Sequence, residues 1–140
     1  MKKSVVLSIR GRQSYMDQEP EIIELVTEGT LEQIGDEWII CYQESDLTGL
    51  EGVTTTFRIA PGKITLTRTG KLNSEMVFQE GVVHESLYKV EFGALMLSVC
   101  ASKINAQLSE DGGTVELVYA IEIEQTSAGT IDYFLQIQPK

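Results

Sequence analysis

Apolar and polar residues alternate along most of the chain, and the clearest alternation runs from residue 114 to residue 124. The apolar face of this segment carries Val115, Leu117, Tyr119, Ile121 and Ile123. Strict alternation over such a length predicts a strand with one buried and one solvated face. The segment 131–138 repeats the pattern, and the turn-like sequence 126–129 lies between the two. We therefore expect these segments to form an antiparallel hairpin.

The same period recurs throughout the chain, interrupted by short turn sequences such as Ala-Pro-Gly at 60–62 and Glu-Asp-Gly-Gly at 110–113. The predicted strands are 4–12, 21–32, 37–43, 53–59, 63–69, 75–79, 82–90, 92–108, 114–124 and 131–138. One feature suggests helix instead, because the four-residue spacing of Ile104 and Leu108 would suit a single helical turn. Many short strands joined by tight turns, with no long crossover, predict an all-β fold. We expect a single antiparallel up-and-down barrel of about eight to ten strands that occupies the whole chain, 1–140.

Composition and charge narrow the classes of partner. The chain has 140 residues and is 42% hydrophobic, which is ordinary for a globular protein. It carries 21 acidic and 11 basic side chains, a net charge of −10, which disfavours nucleic acid and acidic membranes as partners. The N-terminal apolar stretch, 5–9, is too short for a signal peptide or a membrane helix. We therefore expect a cytoplasmic protein.

Motifs for metals and catalysis are missing from the sequence. His84 precedes Glu85, but Tyr88 stands where a zinc-binding His-Glu-x-x-His motif needs its second histidine. The acidic loop that begins at Glu44 imitates the start of a calcium loop, but its twelfth position is Thr55 instead of glutamate. There is no Gly-x-Ser-x-Gly elbow and no phosphate loop. We expect no metal, no cofactor and no catalytic residue, and we lean towards a non-enzymatic role.

The two cysteines, Cys41 and Cys100, are far apart in apolar runs and are expected to be buried free thiols. A disulfide or a redox pair is the alternative. The single tryptophan, Trp38, is expected in the core.

Cationic and aromatic residues on the strands are the best candidates for a binding site. Arg68 follows Ile64 and Leu66 at period two, so it lies on an otherwise apolar face, whereas Arg58 lies on the face opposite Phe57. An arginine inside a barrel must meet a carboxylate, or it can hold an anionic ligand through two hydrogen bonds. The candidate ligand-binding residues are Arg68, Arg58, Tyr42, Glu44, Tyr88 and Tyr119. Alternatively, Arg68 pairs with a glutamate at the barrel rim and is structural.

Four sequence blocks are similar to a known family. They are WIICYQE at 38–44, ITLTRTG at 64–70, MVFQEG at 76–81 and YKVEFG at 88–93. In order and spacing they resemble the YwiB-like family of small bacterial proteins, mostly from Firmicutes. The resemblance implies a calycin-like, or lipocalin-like, β-barrel and a cytosolic bacterial source. It implies no activity and transfers no catalytic residue.

The expected function follows mainly from the geometry of a barrel, which can hold one small ligand. We expect non-enzymatic binding of a small anionic or amphipathic molecule in an open cavity. The alternative is a structural or protein-interaction module whose lumen is filled by side chains. The sequence leaves the ligand and the oligomeric state open.

Overall fold

A computed structural model describes residues 2–14, 19–45, 51–71, 73–90 and 93–140, with residues 88–90 described by their backbone alone. The described residues form ten β-strands and no helix. The strands are β1 (Lys3–Ser14), β2 (Glu21–Ile34), β3 (Glu37–Gln43), β4 (Val53–Ala60), β5 (Lys63–Gly70), β6 (Ser74–Phe78), β7 (Val83–Val90), β8 (Gly93–Ser109), β9 (Gly112–Ile123) and β10 (Thr126–Pro139). Nothing in this described part is a helix long and apolar enough to cross a membrane.

All strand pairs of the sheet are antiparallel, in the order β6-β5-β4-β3-β2-β1-β10-β9-β8-β7. Neighbours in the sheet are also neighbours in sequence, except β1 and β10, which bring the two ends of the chain together. The sheet edges, β6 and β7, approach each other around isolated bridges at Gln79–Val82 and Glu80–Ala101. The result is a nearly closed barrel, and the predicted all-β up-and-down architecture is confirmed.

The core fills the middle of the lumen. The inward positions alternate with outward ones along each strand, and the largest fully buried side chains are Tyr119, Phe57 and Phe78. The rings of Phe78 and Tyr119 lie 4.5 Å apart between centroids. Trp38 is half-buried and packs against this core. Large aromatic side chains of the described residues therefore fill the centre of the barrel.

The predicted helical turn at Ile104 and Leu108 is wrong, because β8 is continuous from Gly93 to Ser109. Its pairing with β9 shifts between Ala101 and Lys103, where a β-bulge inserts one residue. An extra residue changes which positions face inwards, so the inward positions run Ala101, Ile104 and Leu108. These positions are three and four residues apart, which is also the spacing of residues on one face of a helix. On each side of the bulge, however, the strand keeps its period of two.

The predicted turn between β9 and β10 is displaced. The chain reverses at Glu124 and Gln125, whose φ angles are 51° and 66°. Two central residues with positive φ are typical of a two-residue hairpin loop. The turn-like sequence at 126–129 lies inside β10, where pairing shifts between Ser127 and Thr130. Glycine and serine there mark a bulge.

Both cysteines are free, as predicted, but they are half-buried. Cys41 lies between the buried residues Ile40 and Tyr42, and Cys100 lies between Val99 and Ala101. Because faces alternate along a strand, both thiols point to the outside of the barrel.

Candidate functional site

One row of paired residues across three strands places three polar side chains in the lumen. Tyr42 of β3 pairs with Thr55 of β4, which pairs with Arg68 of β5. Directly opposed residues share a face of the sheet, and Tyr42 and Thr55 are buried at 4% and 0% exposure. Arg68 therefore lies on the inner face, as its sequence period predicts.

Glu44 adds a buried carboxylate to this row. It follows Tyr42 by two positions, and its N–H donates to the Val53 carbonyl at 2.8 Å, which extends the pairing of β3 with β4. The Thr55 hydroxyl donates to Glu44 Oε2 at 2.5 Å, and Tyr42 also hydrogen-bonds the same carboxylate. Glu44 is only 8% exposed, so these donors replace the water that a carboxylate otherwise needs.

Burial raises the pKa of Tyr42, and the negative charge of Glu44 raises it further. Tyr42 therefore stays protonated at neutral pH and acts as a hydrogen-bond donor to Glu44.

Tyr133 reaches the site from the opposite wall of the barrel. Arg68 Nη2 donates to the Tyr133 hydroxyl at 3.4 Å, which links β5 to β10 across the lumen. The Tyr133 ring meets the Phe57 ring edge-on, with centroids 6.2 Å apart. Gly11 of β1 is the paired neighbour of Tyr133, and its missing side chain leaves open space beside the tyrosine ring.

The guanidinium of Arg68 keeps its charge inside the protein. Burial alone would lower the pKa of Arg68, but the Tyr133 hydroxyl and the Glu44 carboxylate, together with Tyr119 and Tyr42, raise it overall. Among the described residues, Arg68 Nε is buried without a hydrogen-bond partner. A buried cationic donor that is incompletely satisfied is costly, so it favours the approach of a hydrogen-bond acceptor.

A cavity of about 210 Å³ opens beside these groups. Its polar side is formed by Tyr42, Glu44, Arg68 and Tyr133. Its apolar side is formed by Ile9, Ile23, Leu25 and the backbone of Gly11. Ile23 is 53% exposed, which places an apolar side chain where the cavity meets solvent. The arrangement can hold a molecule that has one polar and one apolar end.

The structure brings four of the six sequence-predicted site residues together. Tyr42, Glu44 and Arg68 line the cavity, and Tyr119 lies beneath them, where burial raises its pKa and the proximity of Tyr133 raises it further. Arg58 is exposed on the outer face, in a groove that includes Glu37 and Glu75, so it does not reach the cavity. The Tyr88 side chain lies outside the described part of the structure.

Sequence reasoning missed Tyr133 as a site residue. The alternation of Ile131, Tyr133 and Leu135 does place it on the inner face of its strand, the same signal that placed Tyr42 and Arg68. A tyrosine carries a polar tip on an apolar body, so an inward tyrosine near a barrel end could have been added to the set.

No group of metal-binding side chains occurs among the residues that the structure describes. The ring of His84 is engaged by Gln79, with Nε2 at 2.7 Å from Oε1, away from the cavity. Residues 46–50 of the acidic loop after Glu44 lie outside the described residues.

Comparisons with known proteins bear on the fold and the family. The chain matches the family model described as "Domain of unknown function (DUF1934)" over residues 7–137. It is 25% identical over 107 residues to the "Uncharacterized beta-barrel protein YwiB" of Bacillus subtilis, covering 76% of this chain and 74% of that protein. The crystal structure of the ywiB protein from Bacillus subtilis is similar with a TM-score of 0.86 at 20% identity, covering 99% of this chain and 93% of that one.

Proposed function

We propose that this chain, which belongs to the YwiB-like family of β-barrel proteins described as DUF1934, binds a small amphipathic molecule with an acidic group, without catalysis. The observation that carries the proposal is the half-buried Arg68, whose buried Nε has no hydrogen-bond partner among the described residues, beside an aliphatic wall in an open cavity. Barrel interiors with a few convergent polar groups are typical small-molecule sites.

The volume of the cavity limits the ligand to a small molecule. An apolar cavity of about 150 Å³ is large enough for benzene. The 210 Å³ here therefore suit one ring, or a short alkyl chain, with a single polar substituent. The apolar body would contact Ile9, Ile23 and Leu25, and the polar head would face Arg68.

The hydrogen bonds already present favour an acidic head group. Glu44 is bonded by Thr55 and Tyr42, whereas the one hydrogen bond that Arg68 makes among the described residues is the 3.4 Å contact with Tyr133. A ligand carboxylate would give Arg68 shorter, charge-assisted bonds. A cationic ligand would instead be repelled by the positive charge of the Arg68 guanidinium.

The proposal is tested by calorimetric titration of the protein with benzoate and with benzamide, its neutral isostere. We expect benzoate to bind more tightly than benzamide. Loss of a hydrogen bond to a charged group should weaken benzoate binding by roughly 10- to 150-fold in Arg68→Met. Arg58→Met is the matched control, since the same change on the outer face should leave binding unchanged.

A second variant separates loss of charge from loss of space. Gly11→Val fills part of the cavity while every polar group stays, so it should also weaken benzoate binding. Equal affinities for benzoate and benzamide, or equal effects of Arg68→Met and Arg58→Met, would refute the proposal. Native mass spectrometry of protein purified from its own host then identifies the retained ligand.

We also propose that the protein works in the cytosol and does not bind nucleic acid or membranes. The free thiols of Cys41 and Cys100 and the net charge of −10 support this. Cell fractionation tests the location, and gel-shift and vesicle-sedimentation assays test the two classes of partner. Recovery in the secreted or membrane fraction would contradict it.

A further inference from the structure

Strand β8 extends beyond the strand that covers its free edge. The pairing of β7 with β8 ends at Val83 and Cys100, and one isolated bridge, Glu80 to Ala101, follows. From there β8 continues to Ser109 and, within the described residues, pairs only with β9. The last third of β8 is therefore an open edge, next to the seam between β6 and β7, where the described residues form only isolated bridges.

The backbone of this edge has hydrogen-bonding groups to offer. The N–H of Ile104 donates to the side-chain Oε1 of Glu80 at 2.7 Å, so it points away from β9. Because N–H groups alternate in direction along a strand, the N–H groups of Ala106 and Leu108 also point away from β9. In the described part of the chain, neither has a backbone hydrogen bond on that side.

A groove of about 650 Å³ runs along the open edge. Apolar side chains on its surface include Trp38, Ile59 and Leu108, and Pro61 and Gly62 form part of one wall. The described residues that line it include two carboxylates, Asp36 and Glu80, and no lysine or arginine. Trp38 and Ile59 lie at the opposite ends of β3 and β4 from Tyr42 and Thr55, so this groove is separate from the Arg68 cavity.

We infer that this edge binds an extended peptide segment of another protein by β-strand addition, and that the segment alternates basic and apolar residues. Backbone groups repeating every second residue match another extended chain. The apolar side chains of the segment would contact Trp38 and Leu108, and its basic side chains would face Asp36 and Glu80.

The inward positions of this edge support its use for binding. Strand edges that must avoid pairing commonly carry inward-pointing charges or proline. Here the side chains that pack against the core are Ile104 and Leu108, and neither is charged. The acidic lining selects a cationic partner and repels a second copy of this chain, whose net charge is −10.

The test compares two substitutions of one residue. Ala106→Pro removes the N–H that faces the groove, and Ala106→Val enlarges the side chain but keeps the N–H. Neither should disturb the pairing with β9, because the Ala106 N–H points away from it. A phage library of random octapeptides is panned against the wild-type protein after depletion on Ala106→Pro.

We expect enriched peptides to be cationic with alternating apolar residues, and to bind Ala106→Pro at least about tenfold more weakly than Ala106→Val. They should shift the fluorescence of Trp38, the single tryptophan, and protect the amides of Ala106 and Leu108 from hydrogen exchange. Asp36→Lys, an exposed turn substitution, should weaken the same peptides without affecting folding.

Two results would overturn the inference. One is the absence of any enriched peptide that distinguishes Ala106→Pro from Ala106→Val. The other is a concentration-dependent dimer of the wild-type protein that Ala106→Pro abolishes, because the edge would then serve a second copy of this chain.

Discussion

The hydrogen bond from Thr55 to Glu44 offers a quantitative test of how the polar site is held inside the barrel. Thr55 is fully buried, and its hydroxyl donates to a carboxylate that is only 8% exposed. Thr55→Val removes the hydroxyl while it keeps the β-branched shape that suits a strand. Thr54→Val is the matched control, because Thr54 is the adjacent residue and donates to Gln43 at 3.1 Å on the exposed face.

The expected cost follows from the burial of both partners. A hydrogen bond to a charged group contributes about 1.5–3 kcal/mol. The new valine methyl would recover up to about 0.8 kcal/mol through apolar burial. Tyr42 still donates to the carboxylate, so Glu44 does not lose every partner. We therefore expect Thr55→Val to lower the free energy of unfolding by about 1–2 kcal/mol, and Thr54→Val by less than about 0.5 kcal/mol.

The measurement is urea unfolding at pH 7, followed by Trp38 fluorescence and by far-ultraviolet circular dichroism. Coincident transitions would support two-state analysis, and the melting temperature of Thr55→Val should fall by several degrees. Equal stabilities of Thr55→Val and Thr54→Val would refute the reasoning, because the buried carboxylate would then not depend on this donor.

Three further predictions concern two backbone positions and one tyrosine. Gly29→Ala should cost about 1–3 kcal/mol in urea unfolding, because the new Cβ would lie 2.5 Å from the Cys41 carbonyl oxygen. Gly11→Ala is its control and should be nearly neutral, since its nearest neighbour would be 3.7 Å away. Burial raises the pKa of Tyr42 above its ordinary 10.0, so the folded protein holds this proton to higher pH than the unfolded chain. Stability measured against pH should therefore fall above pH 10, and Tyr42→Phe should flatten that fall. Gln125→Gly should raise stability by about 0.5–1 kcal/mol, because glycine adopts the φ of 66° without strain; an unchanged urea midpoint would contradict this.

The strands could be read from the sequence because period two is strong where one face is buried and the other is solvated. The same signal fails at a bulge, as in β8, where one extra residue at Ala101–Lys103 reverses the faces. The displaced hairpin loop has a different cause. Glu124 and Gln125 adopt positive φ although they are not glycine, while the nearby glycine serves a bulge.

Glu124 illustrates how tertiary contacts fix a turn that local sequence does not indicate. Its N–H donates to the Met96 carbonyl at 2.9 Å, and its carboxylate accepts from the Met96 N–H at 2.8 Å. These bonds tie the hairpin loop to the neighbouring strand β8. They offset the strain of a positive φ, and no pattern within residues 114–138 could reveal them.

For the candidate site, the alternation of faces predicted only whether each side chain points into or out of the barrel. Alternation placed Arg68, Tyr42 and Tyr119 on inner faces, and it separated Arg58 from them. It could not show which inward groups share one end of the barrel, because that depends on the register between strands. Tyr133, from a strand 65 residues later, joins Arg68 only through that register and the curvature of the sheet.

The register between strands also explains why one end of the lumen is polar and why that end is separated from the opposite end. On β3, β4 and β5, successive inward rows are Trp38–Ile59–Ile64, Ile40–Phe57–Leu66 and Tyr42–Thr55–Arg68. The middle row is fully buried, and Phe78 and Tyr119 complete the packing around it. A close-packed layer of this kind does not couple binding at one end of the barrel to binding at the other unless its side chains can adopt a second arrangement. The Arg68 cavity and the open edge of β8 are thus two chemically different openings of one barrel, separated by its core.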